Sequence, residues 1–345
     1  SSFMFRCLGI ESSCDETAAA VVEDGTKVLS NVVKSQIDIH TAFGGVVPEV
    51  ACRSHMEAIG PVVEKALSEA DLTLDQIDAI AVTHAPGLVG ALLVGVSMAK
   101  ALSVASGIPL IGVDHIYGHM YANRFAFPDT QYPIINLVVS GGHSSLYLSR
   151  SEIDHDLLGS TVDDAAGEAF DKVAKILELG FPGGPHLDKA ARGRDPKKVY
   201  FKRTYPEEFD FSFSGIKTGV LYHVRGQNGK GSLTLSPDEI ADVAAGFQEA
   251  VVDMLTKQTI RSAKKHSVPR IAVGGGVACN SRLRVKLTAA AKKEGMEAYF
   301  PPPKYCTDNA VMIAGIAWPM SKAGLYSDLS LDAVPTKVYR ATRPN

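Results

Sequence analysis

The chain has 345 residues, of which 46% are hydrophobic and 21% are charged, a composition typical of a folded protein with about two domains. A net charge of −3 argues against a free-standing, strongly basic nucleic-acid-binding protein, although it leaves room for a local basic patch. The five cysteines form no C-x-x-C pair, which indicates reduced thiols in a cytosolic protein rather than a disulfide framework or a zinc knuckle.

Two kinds of segment each occur twice along the chain. Residues 7–24 and 135–149 each have the pattern of a strand, a short polar turn and a second strand. Residues 77–102 and 270–293 each have an apolar strand, a glycine-rich turn and a helix. Because the two kinds alternate along the chain, the sequence predicts an internal duplication into two α/β halves.

The predicted halves meet at a proline-containing stretch, 128–133, so we place them at 1–131 and 132–345. The second half is longer because a polar insertion occupies about 180–236. Three further helices are predicted over 49–70, 238–265 and 309–322.

The most hydrophobic stretch of the chain is 87–102, which contains several glycines and Lys100. It is shorter than the roughly 20 apolar residues that a membrane-spanning helix needs, so we interpret it as a buried helix. The opening SSFMFRCLGIESS lacks a long apolar run, so we expect no secretory signal peptide there. The sequence therefore predicts a cytoplasmic protein without a membrane segment.

Glycine-rich loops follow several of the predicted strands. At 140–143, SGGH joins two apolar strands, and Gly141 and Gly142 let backbone N–H groups approach an anion such as a phosphate. The polar turn of the first hairpin could bind an anion in the same way, and a plain hairpin turn is the alternative for either hairpin taken alone. Three consecutive glycines, 274–276, lie between a strand and a helix and leave a flat floor for a purine. Together these loops predict an adenine-nucleotide site between two related halves.

Duplicated halves of this kind resemble the actin/hexokinase/Hsp70 superfamily. The resemblance implies an α/β fold of two actin-like (ASKHA, RNase H-like) halves with a cleft between them. Members that act on the γ-phosphate of ATP place an Asp and a Gly in the first hairpin. Here Glu11 stands where the Asp is expected, and Ser12 and Ser13 replace the loop glycines. This departure disfavours an actin-fold ATPase or kinase.

The stretch HIYGHMYANRF places His115 and His119 four residues apart, so a helix would present them on one face. Two imidazoles and a carboxylate form a facial triad that suits Fe(II) and that Zn(II) can also use. The zinc-protease motif H-E-x-x-H has the same spacing, but Ile116 replaces its Glu, which argues against a metallo-endopeptidase. Two ordinary helix histidines remain the alternative. Asp308, near a predicted helix start, is one of many candidate third ligands.

Ten motifs, in order from residue 9 to residue 318, resemble those of one family. They are GIESSCDETAAAVV, FGGVVPEVACRSH, APGLVGALLVG, GVDHIYGHMYA, LVVSGGHSSLY, DDAAGEAFDKVAKIL, FPGGP, FSFSGIKT, GGGVACNSRLR and CTDNAVMIAGIAW. They closely resemble the tRNA N6-adenosine threonylcarbamoyltransferase family, called TsaD in bacteria and formerly described as an O-sialoglycoprotein endopeptidase. The SSCDE and PGLVGALLVG forms resemble bacterial members, and a mitochondrial version is the second choice.

This resemblance implies transfer of a threonylcarbamoyl group from threonylcarbamoyl-AMP to N6 of adenosine 37 in tRNAs that read ANN codons. It implies one Fe(2+) per subunit, or Zn(2+), held by His115, His119 and Asp308. It also implies that Asp15 and Glu16 are needed for activity. The implied partners are tRNA, a TsaB paralogue and a TsaE ATPase.

The resemblance further implies a set of substrate-binding residues in the second half. They are Val138, Val139, Ser140, Gly141 and Gly142 for the phosphate side of the substrate, and Asp171, Gly184, Asp188 and Asn280 for the nucleoside.

A basic segment, 189–203, lies within the predicted insertion and contains Asp195 as its one acidic residue. Its basic residues are Lys189, Arg192, Arg194, Lys197, Lys198, Lys202 and Arg203. The segment is either a solvated loop or a contact for tRNA phosphates. A non-catalytic tRNA-binding scaffold is a further rival, disfavoured because the metal and nucleotide positions are all retained.

Overall fold

A computed structural model describes residues 3–336, which form two compact units. Of these residues, the first unit contains 3–130, 151–154 and 301–336. The second unit contains 131–150 and 155–300.

A five-stranded mixed sheet forms the centre of the first unit. Its strands are β1 (Arg6–Glu11), β2 (Glu16–Glu23), β3 (Lys27–Ser35), β4 (Ala79–Ala85) and β5 (Leu110–Asp114). The helices in this part of the chain are α1 (Ile37–Thr41), α2 (Pro48–Glu69), α3 (Val89–Ser106) and α4 (His115–Tyr121). The strand order is β3-β2-β1-β4-β5, in which β1 is antiparallel to β2 and parallel to β4. β1, β2 and β4 are buried almost throughout, because hydrophobic clusters form on both faces of the sheet.

The second unit repeats this topology. Its strands are β6 (Ile134–Val139), β7 (Ser144–Ser151), β8 (Asp154–Ser160), β9 (Arg270–Gly274) and β10 (Glu297–Tyr299). Its helices are α5 (Ala166–Ile176), α6 (Gly183–Ala191), α7 (Ser214–Arg225), α8 (Pro237–Lys265) and α9 (Ser281–Lys293). The order β8-β7-β6-β9-β10 matches that of the first sheet strand for strand, with β6 antiparallel to β7 and parallel to β9. The predicted fold class, α/β with duplicated halves, is therefore confirmed.

The last two helices return to the first unit. They are α10 (Pro303–Cys306) and α11 (Val311–Lys322). α11 packs on β1, and a Cβ on Gly9 would lie only 2.6 Å from the carbonyl oxygen of Ala310, so glycine permits this close approach. The predicted division at 131/132 had placed this stretch in the second half, because it followed the order of the chain. Packing of α11 on the first sheet instead joins 301–336 to the first unit.

One described helix, α3, is long and apolar enough to cross a membrane by length and composition, and 28% of it is buried. Leu92 and Val96 face the core of the first unit, whereas Val89, Leu93 and Val104 are exposed. The interpretation of this stretch as a buried helix therefore holds for one face. A single helix of this kind, packed on β4 and α2 of its own unit, does not indicate a membrane protein.

Candidate metal centre and nucleotide site

The short helix α4 begins directly after β5 and carries the two predicted metal histidines. The carboxylate of Asp114 caps the helix by accepting hydrogen bonds from the backbone N–H groups of Ile116 (2.8 Å) and Tyr117 (3.3 Å). One turn of helix then places the rings of His115 and His119 edge to face, with centroids 4.6 Å apart. Both side chains are buried.

Asp308 reaches both histidines from near the other end of the chain. Its Oδ1 lies 3.3 Å from His115 Nε2 and 3.1 Å from His119 Nε2, and the two Nε2 atoms are 3.1 Å apart. The neighbouring Asn309 is fully buried and accepts a hydrogen bond from the N–H of Met312 (3.0 Å). This bond anchors the loop that carries Asp308 to the start of α11.

The three atoms fit a single metal ion. An ion that binds nitrogen and oxygen at about 2.0–2.2 Å holds neighbouring ligand atoms about 3.0–3.5 Å apart, in octahedral or tetrahedral geometry. The separations of 3.1–3.3 Å among His115, His119 and Asp308 lie in this range. These separations are therefore compatible with one Fe(II) or Zn(II) ion held by two imidazoles and a carboxylate.

Further carboxylates crowd around this point. Ligand oxygens of Asp15, Glu16 and Asp308 lie within 4.8 Å of one another. Burial, together with the negative charges of Asp308 and Asp15, raises the pKa of Glu16 to about 11. A bound divalent cation would offset this repulsion with its own charge.

The same charges shift the pKa values of the two predicted metal histidines. Burial opposes protonation of His115, but the charges of Asp308 and Glu11 outweigh it and hold the pKa of His115 well above its usual value. Burial and the neighbouring charge of His115 lower the pKa of His119. Burial would raise the pKa of Asp308, yet the charge and hydrogen bond of His115 hold it far below its usual value. A metal ion that binds here must displace the proton from His115 Nε2.

Glu11 is a residue of this site that sequence reasoning missed as a functional group. It is fully buried at the end of β1, and its Oε2 lies 3.0 Å from His115 Nδ1. In the sequence it stood out only as a departure from the kinase pattern. The available signal was a carboxylate directly after the apolar run CLGI, since a buried charge needs a partner.

A second missed residue, His55 on α2, holds the turn that carries Asp15 and Glu16. Its Nε2 lies 2.7 Å from the carbonyl oxygen of Cys14, and its Nδ1 lies 2.7 Å from Thr17 Oγ1. Because a carbonyl only accepts, Nε2 carries the proton and Nδ1 accepts from the hydroxyl of Thr17. Burial lowers the pKa of His55, which keeps the ring neutral in this role.

In the second unit, the turn after β6 exposes two glycines. The N–H of Ser140 donates to the carbonyl of His143 (2.8 Å), and the N–H of Gly167 donates to the carbonyl of Ser140 (3.1 Å). The N–H groups of Gly141 and Gly142 make no hydrogen bond within residues 3–336, and a Cβ on either glycine would meet nothing within 4 Å. The turn therefore offers two open donors to an anion.

The corresponding turn of the first unit is occupied by internal contacts. The N–H of Ser13 donates to Glu11 Oε1 (2.6 Å), and the hydroxyl of Ser12 donates to the carbonyl of Ala91 (2.7 Å). The N–H of Leu88 donates to the carbonyl of Ser13 (2.9 Å). The expectation that this turn could also bind an anion is thus wrong for the Ser13 amide.

The glycine-rich loop after β9 lies against the turn after β6. Gly275 has φ +92°, and a Cβ there would lie 2.2 Å from the carbonyl oxygen of Val139. The next residue, Gly276, would meet nothing within 4 Å. Gly275 is therefore required by backbone packing, whereas Gly276 presents a bare surface to a ligand.

Two of the predicted nucleoside residues lie where α5 meets α6. The Oδ1 of Asp171 accepts a hydrogen bond from the N–H of Gly183 (2.8 Å). A Cβ on Gly183 would lie 2.5 Å from the Cα of Asp171, so the two helices touch at this point. Gly184 has open space around it, and α5 also contacts the 3-10 turn at Gly276–Cys279.

The other two meet at the start of α9, Asp188 from α6 and Asn280 as the residue before the helix. Asp188 accepts two hydrogen bonds from Ser281, one from its N–H (3.0 Å) and one from its hydroxyl (2.6 Å). Asn280 caps α9, because its Oδ1 accepts from the N–H of Leu283 (2.9 Å). Loss of Asn280 would remove this cap as well as any contact with a ligand.

The basic segment 189–203 is partly neutralised by α8. Lys198 pairs with Asp242 (2.7 Å), and Arg203 pairs with Asp253 (2.7 Å). Arg194 lies 3.8 Å from Asp242 and also pairs with the exposed Asp238. Four other basic residues of the segment are exposed and form no ion pair within residues 3–336: Lys189, Arg192, Lys197 and Lys202.

Comparison with known proteins shows the family. The model of the family TsaD, tRNA N6-adenosine threonylcarbamoyltransferase, matches residues 27–315. A protein of that name from Symbiobacterium thermophilum is 51% identical over 329 residues, and the alignment spans 95% of both chains. Another, from Clostridium novyi, is 52% identical over 335 residues, and the alignment spans 96% of both chains. Among solved structures, full-length HypF in its phosphate- and nucleotide-bound form superposes with a TM-score of 0.60 at 14% identity. The superposition spans 94% of this chain and 47% of HypF, and at this identity it supports the fold alone. By the extent of the family match and the identity to these relatives, the chain belongs to the tRNA N6-adenosine threonylcarbamoyltransferase family.

Proposed function

We propose that the donor is threonylcarbamoyl-AMP and that the acceptor is N6 of adenosine 37 in tRNAs that read ANN codons. As a member of its family, the chain is a transferase that forms threonylcarbamoyladenosine on tRNA. The observation that carries the proposal is the convergence of His115, His119 and Asp308 on one point. The same chain offers an open glycine turn to a phosphate.

We propose that His115, His119 and Asp308 hold one Fe(2+) per subunit, with Zn(2+) as the alternative. Two nitrogens and one oxygen leave further coordination positions for substrate oxygens. When bound, the metal supplies a Lewis acid that stabilises negative charge on the adenylate as AMP leaves. The crowding of Asp15 and Glu16 beside Asp308 supports a cation at this place.

The remaining chemistry belongs to the residues of the chain. The carbamoyl carbon is already activated, so the reaction needs no water nucleophile and no zinc-protease glutamate. N6 of adenosine forms a bond to this carbon, the bond from the carbon to the phosphate oxygen breaks, and AMP takes the electron pair. We propose that the proton that N6 loses is accepted by Asp15, or by Glu16 once a bound cation has lowered its pKa. Because an exocyclic adenine amine is a weak nucleophile, positioning supplies much of the rate.

The second unit supplies the positioning of AMP in this proposal. The N–H groups of Gly141 and Gly142 bind its phosphate, and the backbone of Val138, Val139 and Ser140 forms the rest of that turn. The bare surface at Gly276 accommodates the purine. The nucleoside is held by Asp171, Gly184 and Asn280, and Asp188 orients the start of α9 through Ser281.

Two partner proteins follow from the resemblance, a TsaB paralogue and a TsaE ATPase. An exposed apolar stripe on α3 supports the first of them. Val89 and Leu93 are one turn apart, and Val104 lies on the same side about three turns further on, so a partner surface along this side would remove all three from water. We propose that the paralogue covers this stripe. The TsaE ATPase and the cytoplasmic location stay predictions; the five free cysteines are compatible with the latter.

The function is tested by analysing the nucleosides of treated tRNA. The protein, its partner proteins, threonine, bicarbonate and ATP are incubated with a tRNA that reads an ANN codon. We expect mass spectrometry to detect N6-threonylcarbamoyladenosine, and to detect none when adenosine 37 is replaced by guanosine. Absence of the product with partners of proven activity would refute the function. Metal-dependent peptide cleavage that disappears in His119→Ala would favour the endopeptidase alternative.

The unpaired basic residues of 189–203 are the proposed contact for tRNA phosphates. We expect replacement of Lys189, Arg192, Lys197 and Lys202 by alanine to weaken tRNA binding, because these side chains are exposed and unneutralised. Removal of each phosphate contact should reduce the slope of log affinity against log salt by about 0.7–0.9. The measurement is tRNA affinity of the assembled complex at several salt concentrations.

The matched control for that variant is the double replacement of Lys198 and Arg203 by alanine. Both residues already pair with carboxylates of α8, so their removal should change the salt slope less per residue. AMP affinity should be equal in all three proteins. An unchanged slope in the fourfold variant would mean that tRNA binds to another surface.

A further inference from the structure

The carboxylate of Glu11 is the most deeply buried charge of the first unit that no step of the proposed reaction uses. It is 0% exposed and ends a strand whose preceding residues, Leu8 to Ile10, are buried and apolar. Removing a carboxylate from water to this extent is costly unless every lone pair finds a donor. The hydrogen-bond partners of Glu11 therefore indicate its role in the site.

Three donors surround Glu11. Its Oε1 accepts from the backbone N–H of Ser13 (2.6 Å), and its Oε2 accepts from the hydroxyl of Thr83 (2.5 Å). Oε2 also lies 3.0 Å from Nδ1 of His115. With its oxygens engaged in this way and no exposed surface, Glu11 does not touch a substrate, and His115 is the predicted metal ligand among its three contacts.

An ionised carboxylate only accepts hydrogen bonds, so the contact with Glu11 fixes a proton on His115 Nδ1. The hydroxyl of Ser13, 3.3 Å from the same nitrogen, is a longer contact and can serve as a second acceptor. Once a metal ion has displaced the proton of Nε2, that nitrogen offers its lone pair on the side that faces Asp308 and His119. His119 lacks this support, because its buried Nδ1 has no hydrogen-bond partner within residues 3–336.

We propose that Glu11 is a positioning residue that holds His115 in the Nδ1–H tautomer and thereby sets the affinity of the metal centre. The inference rests on the proposed metal site. Carboxylates that accept a hydrogen bond from a ligating histidine typically contribute 10- to 100-fold to metal affinity.

Glu11→Gln separates this role from a merely structural one. The N–H of Ser13 can only donate, so the glutamine oxygen must face it and the NH2 group must face Thr83 and His115. The hydroxyl of Thr83 can turn and accept, but His115 Nδ1 must then lose its proton. The ring is driven to the Nε2–H tautomer, which points a proton at the metal position.

The test is zinc affinity of the purified full chain, measured by competition with a chromophoric chelator. We expect Glu11→Gln to bind zinc about 10- to 100-fold more weakly than the wild type. The matched control is Thr83→Val, which removes a neighbouring hydroxyl with nearly the same shape but leaves the Glu11–His115 contact in place. Thr83→Val should bind zinc within about threefold of the wild type, because the carboxylate of Glu11 still accepts the hydrogen bond from His115 Nδ1.

A spectroscopic measurement reads the tautomer directly. In zinc-loaded wild-type protein with ¹⁵N-labelled histidine, we expect a protonated Nδ1 on His115, with a downfield proton signal that disappears in Glu11→Gln. Should Glu11→Gln fail to fold, Glu11→Asp, which keeps the charge but withdraws it from His115, is measured in the same way.

The two possible failures are distinguishable. Equal zinc affinity and an unchanged Nδ1–H signal in the Glu11 variants would overturn the inference and leave the metal site standing. A wild-type protein that binds no stoichiometric zinc or iron would instead refute the metal site itself.

Discussion

His119→Ala is expected to empty the metal centre and to abolish threonylcarbamoyl transfer. His119 Nε2 lies within 3.1 Å of both other ligand atoms, and α4 has no third histidine to replace it. A bound metal contributes several kcal/mol of charge stabilisation, so the rate should fall by at least about 100-fold. The measurements are metal content by elemental analysis and product formation on tRNA.

His223→Ala is the control for that substitution. His223 is an exposed histidine on α7 in the second unit, and its ring contacts Phe201 edge to face. This variant should retain one metal ion per chain and full activity. Thermal unfolding of both variants shows whether the fold is kept. Full metal content and activity in His119→Ala would contradict the assignment of the ligands.

Gly275→Ala is expected to have the second large effect, on both stability and nucleotide binding. Gly275 has φ +92° and ψ +166°, a backbone region that is essentially restricted to glycine and costs other residues about 1–3 kcal/mol. In addition, the new Cβ would lie 2.2 Å from the carbonyl oxygen of Val139 and must push apart the two loops. We expect the free energy of unfolding to fall by at least about 3 kcal/mol.

Gly276→Ala is the matched control, because the same methyl group is added one residue later, in open space. It should leave the unfolding temperature close to that of the wild type, while weakening AMP binding if the purine lies on this glycine. Calorimetry and AMP titration of both variants separate the two roles. Equal unfolding temperatures for Gly275→Ala and the wild type would show that the loops are not packed as described.

The strands and helices that the sequence predicted are those with strong local signals. β1, β2 and β6 are apolar runs bounded by polar turns, and the N-terminus of α8 has the full capping box of Ser236 and Glu239. Four strands, β3, β5, β8 and β10, were not predicted. β8 has the polar sequence DHDLLGS and is mostly half-buried, and β10 has only three residues. Both depend on pairing within the sheet rather than on local preference.

Some residues of the site could likewise be predicted from local sequence, and others could not. The spacing of His115 and His119 predicted one shared helical face, because only the period of a helix was needed. Asp308 could not be selected on physical grounds, since 189 residues separate it from His119 and only the packing of α11 brings it close. The family resemblance supplied it. Glu11 was missed because its function is defined by Thr83 and His115, which are its neighbours only in the folded sheet.

The return of the chain to the first unit has a consequence for biosynthesis. The proposed third metal ligand, Asp308, and the helix α11 leave the ribosome only after all of 131–300 has been made. A nascent chain that already contains the whole second unit still has only two of the proposed ligands and a first sheet whose face toward Val311–Ala317 is uncovered. If the proposed ligands hold the metal, the complete ligand set exists only after Asp308 has joined the two histidines, and a truncation before Asp308 would leave the site without its carboxylate.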